Sequence, residues 1–411
     1  MNKQKLTIII TALLSILCIA LTACGNSEPP LTATSPQTQS TPEPSHSPRV
    51  EIKETVTFNA SEIPCYNDPS AEGVKYVLLP DVMNAIKSEA IFNNAKKCYE
   101  FTWREKECSV SAESKTLIYG DKSYEMEAPT FTFRGNDNLY VPVESFCEGL
   151  EIGTLYDKAN FRLYCTPATG NWQLQEGRTV PVLMHSSAGE DYKAYDSYIT
   201  LDLLEQEIQY LLSNGYTPCW FEDLWNLENI AKPVILSFDD GWTTHYTNLL
   251  PIIDKYNIKV TLFIVSGNID STVESNGGGI SRYNTYMTTE NLLAMYRSGL
   301  VSIQSHSMND PEKFLECDDY EIKSEIADTR LFITRLTGLE PVAFAYPNGE
   351  QNERIRSIVQ ENFRFGLLSD NNSTWNTSDD PLLIPRFMQY RNESIDVFTT
   401  YIETGRRPQE Q

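Results

Sequence analysis

Two adjacent carboxylates, Asp239 and Asp240, follow the apolar run Pro233-Val234-Ile235-Leu236 and precede Gly241. Like charges side by side at the end of a buried strand repel one another unless a turn or a cation offsets them. Four histidines occur, His46, His185, His245 and His306. His306 closes the segment LVSIQSH, and Asp310 follows it by four positions. Residues i and i+4 share one side of a helical turn, so His306 and Asp310 can hold one metal ion, with Asp240 as a third ligand. Three protein ligands and an open position describe a hydrolytic zinc site. Such an ion acidifies water and polarises a carbonyl oxygen. Asp239, next to a ligand, is then placed to take the proton of the water as general base. His185 ends another apolar strand, in VLMHSS.

These side chains need a frame. From Val180 to Ile402 strand and helix patterns alternate. Apolar strands are expected at 180–184, 233–238, 259–265, 300–304 and 341–345. A helix is expected from Leu203 to Ser213, stopping at Asn214-Gly215, with others over 247–256, 289–297, 319–337 and 351–361. This rhythm defines an α/β class with a parallel sheet or a barrel. In a barrel, chemistry gathers at the C-terminal strand ends, where Asp239, His306 and Tyr346 fall. Before this domain, set at 178–403, residues 74–167 read as a small α+β domain. It has a helix over Pro80–Phe92 and strands near Cys98–Trp103, Ser114–Tyr119 and Ser123–Met126.

The formal net charge of -23 excludes a nucleic-acid binder, which needs a basic face to neutralise phosphates. The N-terminus is that of an exported protein: Lys3 and Lys5 precede an apolar run over 6–21 that ends in small residues. Leu21-Thr22-Ala23-Cys24 resembles a bacterial lipobox. That resemblance implies a signal segment over 1–24 and lipidation of Cys24, hence a location at the outer face of the cell membrane. Residues 25–50 are a Ser/Thr/Pro tether expected to stay disordered; His46 lies in it and is set aside. Nothing later is apolar enough to span a membrane. Seven cysteines follow Cys24. In an exported chain they suggest disulfides, with at least one thiol left over and two bridges available among the four between 98 and 165.

Five segments in order carry a resemblance to the polysaccharide deacetylases, the NodB-homology family of carbohydrate esterases: ILSFDDGW, VTLFIV, SGLVSIQSHSMND, LTGLEPVAFAYPNGEQNERI and LLIPRF. The resemblance covers about residues 180 to 400 and implies a distorted (β/α) barrel with fewer than eight strands. It implies metal-dependent removal of acetyl groups from a polysaccharide of the cell wall or an exopolysaccharide, with Asp239 as base and Asp240 and His306 as ligands. VLMH resembles the permuted subgroup that includes poly-N-acetylglucosamine deacetylases, which implies His185 as general acid. The family also implies an oxyanion contact from the backbone N–H of Asn348. Trp242, Tyr346 and Trp375 are aromatic candidates for stacking on sugar rings, with core packing the alternative for each. The second metal histidine of the family is Asp310 here, a harder ligand that makes zinc a poorer Lewis acid and favours other divalent ions. The arginine expected before Pro347 is Ala345, leaving Arg386 to supply that charge. His245 has no counterpart and is expected at the surface. NLYVPVESFCEGLEIGTLYD resembles the copper amine oxidase N-terminal-like stalk domain, which implies a spacer or wall-contacting module without copper. Open alternatives are a glycan-binding lipoprotein without turnover and an O-acetyl esterase. The polymer and the oligomeric state stay open.

Overall fold

The computed structural model describes residues 54–68, 71–133, 136–170, 172–189, 197–271, 285–370 and 373–408. The expected signal segment, Cys24, the tether and His46 lie outside them.

Among the described residues, seven parallel strands close a barrel. They are β1 (Val182–His185), β2 (Pro233–Asp240), β3 (Val260–Ile264), β4 (Val301–Ser305), β5 (Ala343–Ala345), β6 (Phe365–Asp370) and β7 (Ile384–Met388). Neighbours run β1-β7-β6-β5-β4-β3-β2, and β1 returns to β2 through the Val182↔Ile235 to His185↔Phe238 register. The α/β barrel expected from the alternating pattern is present. Strands β6 and β7, which close it, were not read as strands in the sequence.

Pleating decides what each strand residue faces, because successive side chains point to opposite faces. Ile235, Phe263, Ala343, Ala345, Phe365, Leu367 and Ile384 pack into one cluster inside the barrel. Leu183, Leu236, Phe238, Leu262, Ile303 and Phe387 pack outward. The outer layer is completed by α1 (Leu201–Ser213), α2 (Leu250–Tyr256), α3 (Thr289–Arg297), α4 (Asp319–Thr337), α5 (Glu353–Gln360) and α6 (Ile395–Thr404). Leu204, Ile208 and Leu211 of α1 and Leu292 and Met295 of α3 meet the outward strand residues. Each such fully buried aliphatic side chain contributes about 1.5–3 kcal/mol.

Helix α4 is capped at both ends. Asp318 accepts from the N–H groups of Tyr320 and Glu321, and Glu321 returns to the N–H of Asp318 at 2.8 Å. Gly338 ends the helix at φ 78°, and a Cβ there would stand 2.9 Å from Ala60 Cα. Glycine is therefore required both for the left-handed cap and for close approach to the small body.

That body begins earlier than the expected residue 74. Strand Thr55–Phe58 pairs in parallel with Arg162–Thr166, and Val56 and Phe58 sit in its core. The helix expected over 80–92 stops at Ala85, and Ile91–Asn93 opens a five-stranded antiparallel meander. The seven described cysteines are free thiols. In the meander Cys98 faces Ser111 and Cys108 faces Phe101, so register keeps these two apart. Cys147 and Cys165 are buried side by side; their hydrogen bond and burial raise the Cys165 thiol.

The small body is tied to the barrel by Arg335 on α4, whose Nε and Nη2 lie 2.7 and 2.8 Å from the carboxylate of Asp157. These bonds hold Asp157 well below the usual carboxylate range. Its folded pKa is depressed, so the stability it lends is complete above the unfolded value near about 3.9 and is lost as pH falls towards the folded value. Arg335 is partly exposed, so solvent weakens the pair. Arg335→Ala is expected to lower stability at pH 7 by about 1 kcal/mol and to flatten the acid limb of the stability profile, as read by denaturant unfolding at stepped pH.

Candidate metal centre

Strand β2 ends in Asp239-Asp240 and β4, on the far side of β3, runs directly into His306, so the C-terminal ends of these parallel strands bring the groups to one mouth of the barrel. His306 Nε2 lies 3.7 Å from Asp240 Oδ1 and 3.8 Å from Asp310 Oδ1. One ligand atom from each of the three lies within 4.8 Å of the others. His306 Nδ1 donates to the Ala345 carbonyl at the end of β5, 2.9 Å away, which leaves Nε2 with its lone pair facing the carboxylates. Asp310 Oδ1 is buried and accepts no hydrogen bond.

This donor set fits a divalent cation. Burial, reinforced by Asp239 and Asp310 and opposed by His306, pushes the Asp240 carboxyl up to about 7. Burial raises Asp310 as well. Burial alone would lower His306, but Asp310, Asp239 and Asp240 outweigh it and draw the imidazole towards its cationic form. The cluster thus attracts positive charge at the point where its three ligand atoms converge. Asp240, Ser307 and Asp310 hold left-handed backbone, at φ 75°, 65° and 49°. Such conformations cost roughly 1–3 kcal/mol each unless the surroundings hold them, and they gather at functional sites.

Several neighbours fix the ligands. Trp242 Nε1 donates to Asp240 Oδ2 at 2.8 Å. On α4, Glu325 accepts from the backbone N–H groups of Met308 and Asn309 at 2.9 and 2.8 Å and from Asn309 Nδ2 at 2.7 Å. It clamps the loop that joins His306 to Asp310. Glu325→Ala is expected to weaken metal affinity about 10–100-fold with the helix intact, measured by competition with a chromogenic chelator.

Asp239 is enclosed and paired on both oxygens with Arg386 of β7, at 2.7 and 2.8 Å. Both side chains project inward, with Ile235 and Ile384. Burial would raise the Asp239 carboxyl, but Arg386 and His306 outweigh it and hold it below the ordinary value. Arg386 thus stands where its charge was expected to be needed, as the counter-ion of Asp239 and only 1% exposed.

Other expected site residues are placed differently. His185 has the pleat parity of Leu183 and points to the outer layer. Its Nε2 lies 2.9 Å from Glu207 of α1, and Nδ1 lies 3.3 Å from the Ser237 carbonyl. Both ring nitrogens are engaged inside the wall, which removes His185 from the reacting groups. Tyr346 is fully buried among Phe344, Phe363 and Leu382, with its hydroxyl donating to the Leu382 carbonyl. Trp375 is fully buried beside Val180. Neither offers a face to a sugar. Trp242 is stacked on Tyr286 at 4.3 Å rather than open. Asn348 is exposed in left-handed backbone after β5. His245, expected at the surface, is buried with Nε2 against the Ser186 carbonyl, and burial lowers it to about 4.

Tyr286, Glu325 and Glu207 were missed. Tyr286 is pushed up to about 12 by burial and by Asp240 and Asp310, so it keeps its proton beside the cluster. Nothing in its sequence neighbourhood signals this, because the link to Trp242 is a tertiary bridge.

Residues 227–362 match the family model described as polysaccharide deacetylase. The match covers about a third of the chain and lies within the barrel, from the segment before β2 through α5. Its curated relatives include YxkH of Bacillus subtilis, named as a polysaccharide deacetylase: 24% identical over 211 residues, covering 49% of this chain and 69% of that protein. They also include the poly-beta-1,6-N-acetyl-D-glucosamine N-deacetylase of Staphylococcus aureus, 26% identical over 165 residues. That match covers 38% of this chain and 54% of that protein, about half its length. Among solved structures, a Streptococcus pyogenes deacetylase in complex with acetate is 22% identical, covering 56% of this chain and all of that one, with a TM-score of 0.47. A Bacillus cereus polysaccharide deacetylase is 14% identical, covering 77% and 98%, with a TM-score of 0.49.

Proposed function

We propose that the chain removes N-acetyl groups from an N-acetylglucosamine-containing polysaccharide. The observation that carries this reading is the convergence of Asp240, His306 and Asp310 beside an Asp239 held ionised by Arg386. The name of the staphylococcal relative supports the substrate class. A divalent cation, zinc or a harder ion, supplies Lewis acidity at such a site. The chain does the rest. Asp240, His306 and Asp310 hold the ion, and Trp242 and Glu325 keep two of them in position. Asp239 accepts the proton of the attacking water and returns it to the departing amine as the C–N bond breaks, and Arg386 sets its orientation and charge. Tyr286 offers a protonated hydroxyl beside the cluster, and the N–H of Asn348 is a second donor for the developing oxyanion.

The test is acetate release from N-acetylated β-1,6-linked glucosamine oligomers by the full chain. Activity is expected to vanish with chelator, to return with added cation, and to be lost in Asp239→Asn. Release from O-acetylated xylan alone would reassign the chain as an esterase. A second reading, a glycan binder without turnover, is favoured by the engagement of His185 with Glu207 and by Asp310 standing where the family has histidine. Glycan binding without acetate release in the metal-loaded chain would select it.

By the same proposal, Cys24 carries a lipid that holds the enzyme at the outer face of the cell membrane, with 25–50 as tether and the small body as spacer. Labelling with a fatty-acid analogue is expected to be lost in Cys24→Ala.

A further inference from the structure

At the end of the barrel away from the metal centre, the barrel floor and the small body enclose a cavity of about 580 Å³. Val301, Ser302, Ile303 and Gln304 of β4 line it, whereas His306 follows the strand's last residue. At about 3.3 Å per residue, His306 stands roughly 7 to 16 Å beyond these four along the strand. A second cavity of about 430 Å³ adjoins it and shares Arg104 and Trp225.

The lining has a specific chemistry. Four of the six tryptophans, Trp103, Trp172, Trp220 and Trp225, line one or both cavities. Trp103 and Trp172 are buried, and Arg104, Arg364 and Lys259 lie over the rings of Trp103, Trp172 and Trp220; Trp225, 38% exposed at the junction, is the open aromatic face. Glu222 reaches in from the segment before β2. Its Oε1 accepts from Ser302 Oγ and Gln304 Nε2, each at 2.7 Å, while Oε2 is buried with no partner. An unsatisfied buried carboxyl oxygen is costly, and a ligand hydroxyl that donates to it removes that cost. Burial also raises this carboxyl to about 7. Three cationic side chains, Lys87, Arg104 and Arg297, balance the carboxyl groups of Glu222, Asp223 and Glu340. The adjoining cavity has the same balance, which disfavours a strongly charged ligand.

An exposed indole such as that of Trp225 takes the apolar face of a pyranose ring, and carboxyl and guanidinium edges take its hydroxyls. The seam is also cross-tied. Besides the Arg335–Asp157 pair, Arg364 donates to the carbonyls of Gly170 and Trp172, so little ordering is needed on binding. We propose that this seam is a saccharide-binding site, separate from the metal centre, that takes a short run of uncharged pyranose units. A polymer held here leaves the barrel mouth free for another stretch or another chain.

The test titrates the full His306→Ala chain, in which the metal centre is disabled, with N-acetylglucosamine tetramer and glucosamine tetramer, followed by calorimetry and tryptophan fluorescence. The acetylated tetramer is expected to bind, and Trp225→Ala to weaken it by at least about tenfold with unchanged circular dichroism. Glu222→Gln, which keeps shape and removes the acidic proton acceptor, is expected to weaken it less. Absence of heat and of fluorescence change at millimolar tetramer would overturn the proposal. So would binding unaffected by both substitutions, or preference for the cationic tetramer. Because the titration needs no turnover, its failure and a failure of the deacetylase reading are seen separately.

Discussion

His306→Ala is expected to strip the cation from the chain and to lower the rate of acetate release about a thousandfold or more. The magnitude follows from the chemistry: a bound cation supplies several kcal/mol of charge stabilisation in the transition state, and each 1.36 kcal/mol is about tenfold in rate. The loss should reach both properties at once, because His306 is the one nitrogen ligand between two carboxylates. Asp310→His makes the complementary test. It replaces a hard, negative ligand by an imidazole and is expected to retain an ion while shifting preference towards softer metals. Metal content by elemental analysis and acetate release by enzymatic assay read both variants. A His306→Ala protein with full metal content and a rate within a few-fold of the parent would remove the metal centre from the mechanism.

Arg386→Met is the second large effect, and it reaches stability as well as rate. It leaves the Asp239 carboxylate buried without its counter-ion, which costs about 3–5 kcal/mol at pH values where the group is ionised. The pH dependence changes sign. In the parent the folded carboxyl of Asp239 is depressed, so its contribution is present above the unfolded value near about 3.9 and fades as pH falls through the folded one. Without Arg386, burial raises the folded carboxyl instead, so stability declines as pH rises from about 3.9 through that raised value. Denaturant unfolding of the metal-free protein should therefore show a larger defect at pH 7.5 than at pH 5, and a smaller defect in the Asp239→Asn, Arg386→Met double variant than the two single changes would sum to. Equal defects at both pH values would indicate lost packing rather than a stranded charge.

The contrast between His306 and His185 explains which site residues were legible. His306, Asp310 and Asp240 are close in sequence to strand ends, and i, i+4 spacing is a local property, so their meeting could be foreseen from type and position. His185 also ends a strand. But β1, like most strands of this barrel, is buried on both faces, so its sequence lacks the polar alternation that marks an inward and an outward side. The pleat assigns His185 to the helix layer and Glu207, and a one-residue difference in parity would have assigned it to the interior. Tyr346 shares the outward parity of Phe344 and leaves the mouth for the same reason. Arg386 goes the other way, inward with Ile384, which makes it the partner of Asp239 from 147 positions away.

The amino-acid sequence by itself determined the alternation of strands and helices, the stop of α1 at Asn214-Gly215, and the choice of Asp240, His306 and Asp310 as candidate metal ligands. Each depends on neighbours within about one helical turn or one strand. Barrel closure through β6 and β7, the counter-ion of Asp239, the clamp from Glu325 and the tryptophan-lined seam were decided only by tertiary structure. They rest on pleat parity and on packing between distant segments, and a side chain's partner there is chosen by the closed barrel rather than by its place along the chain.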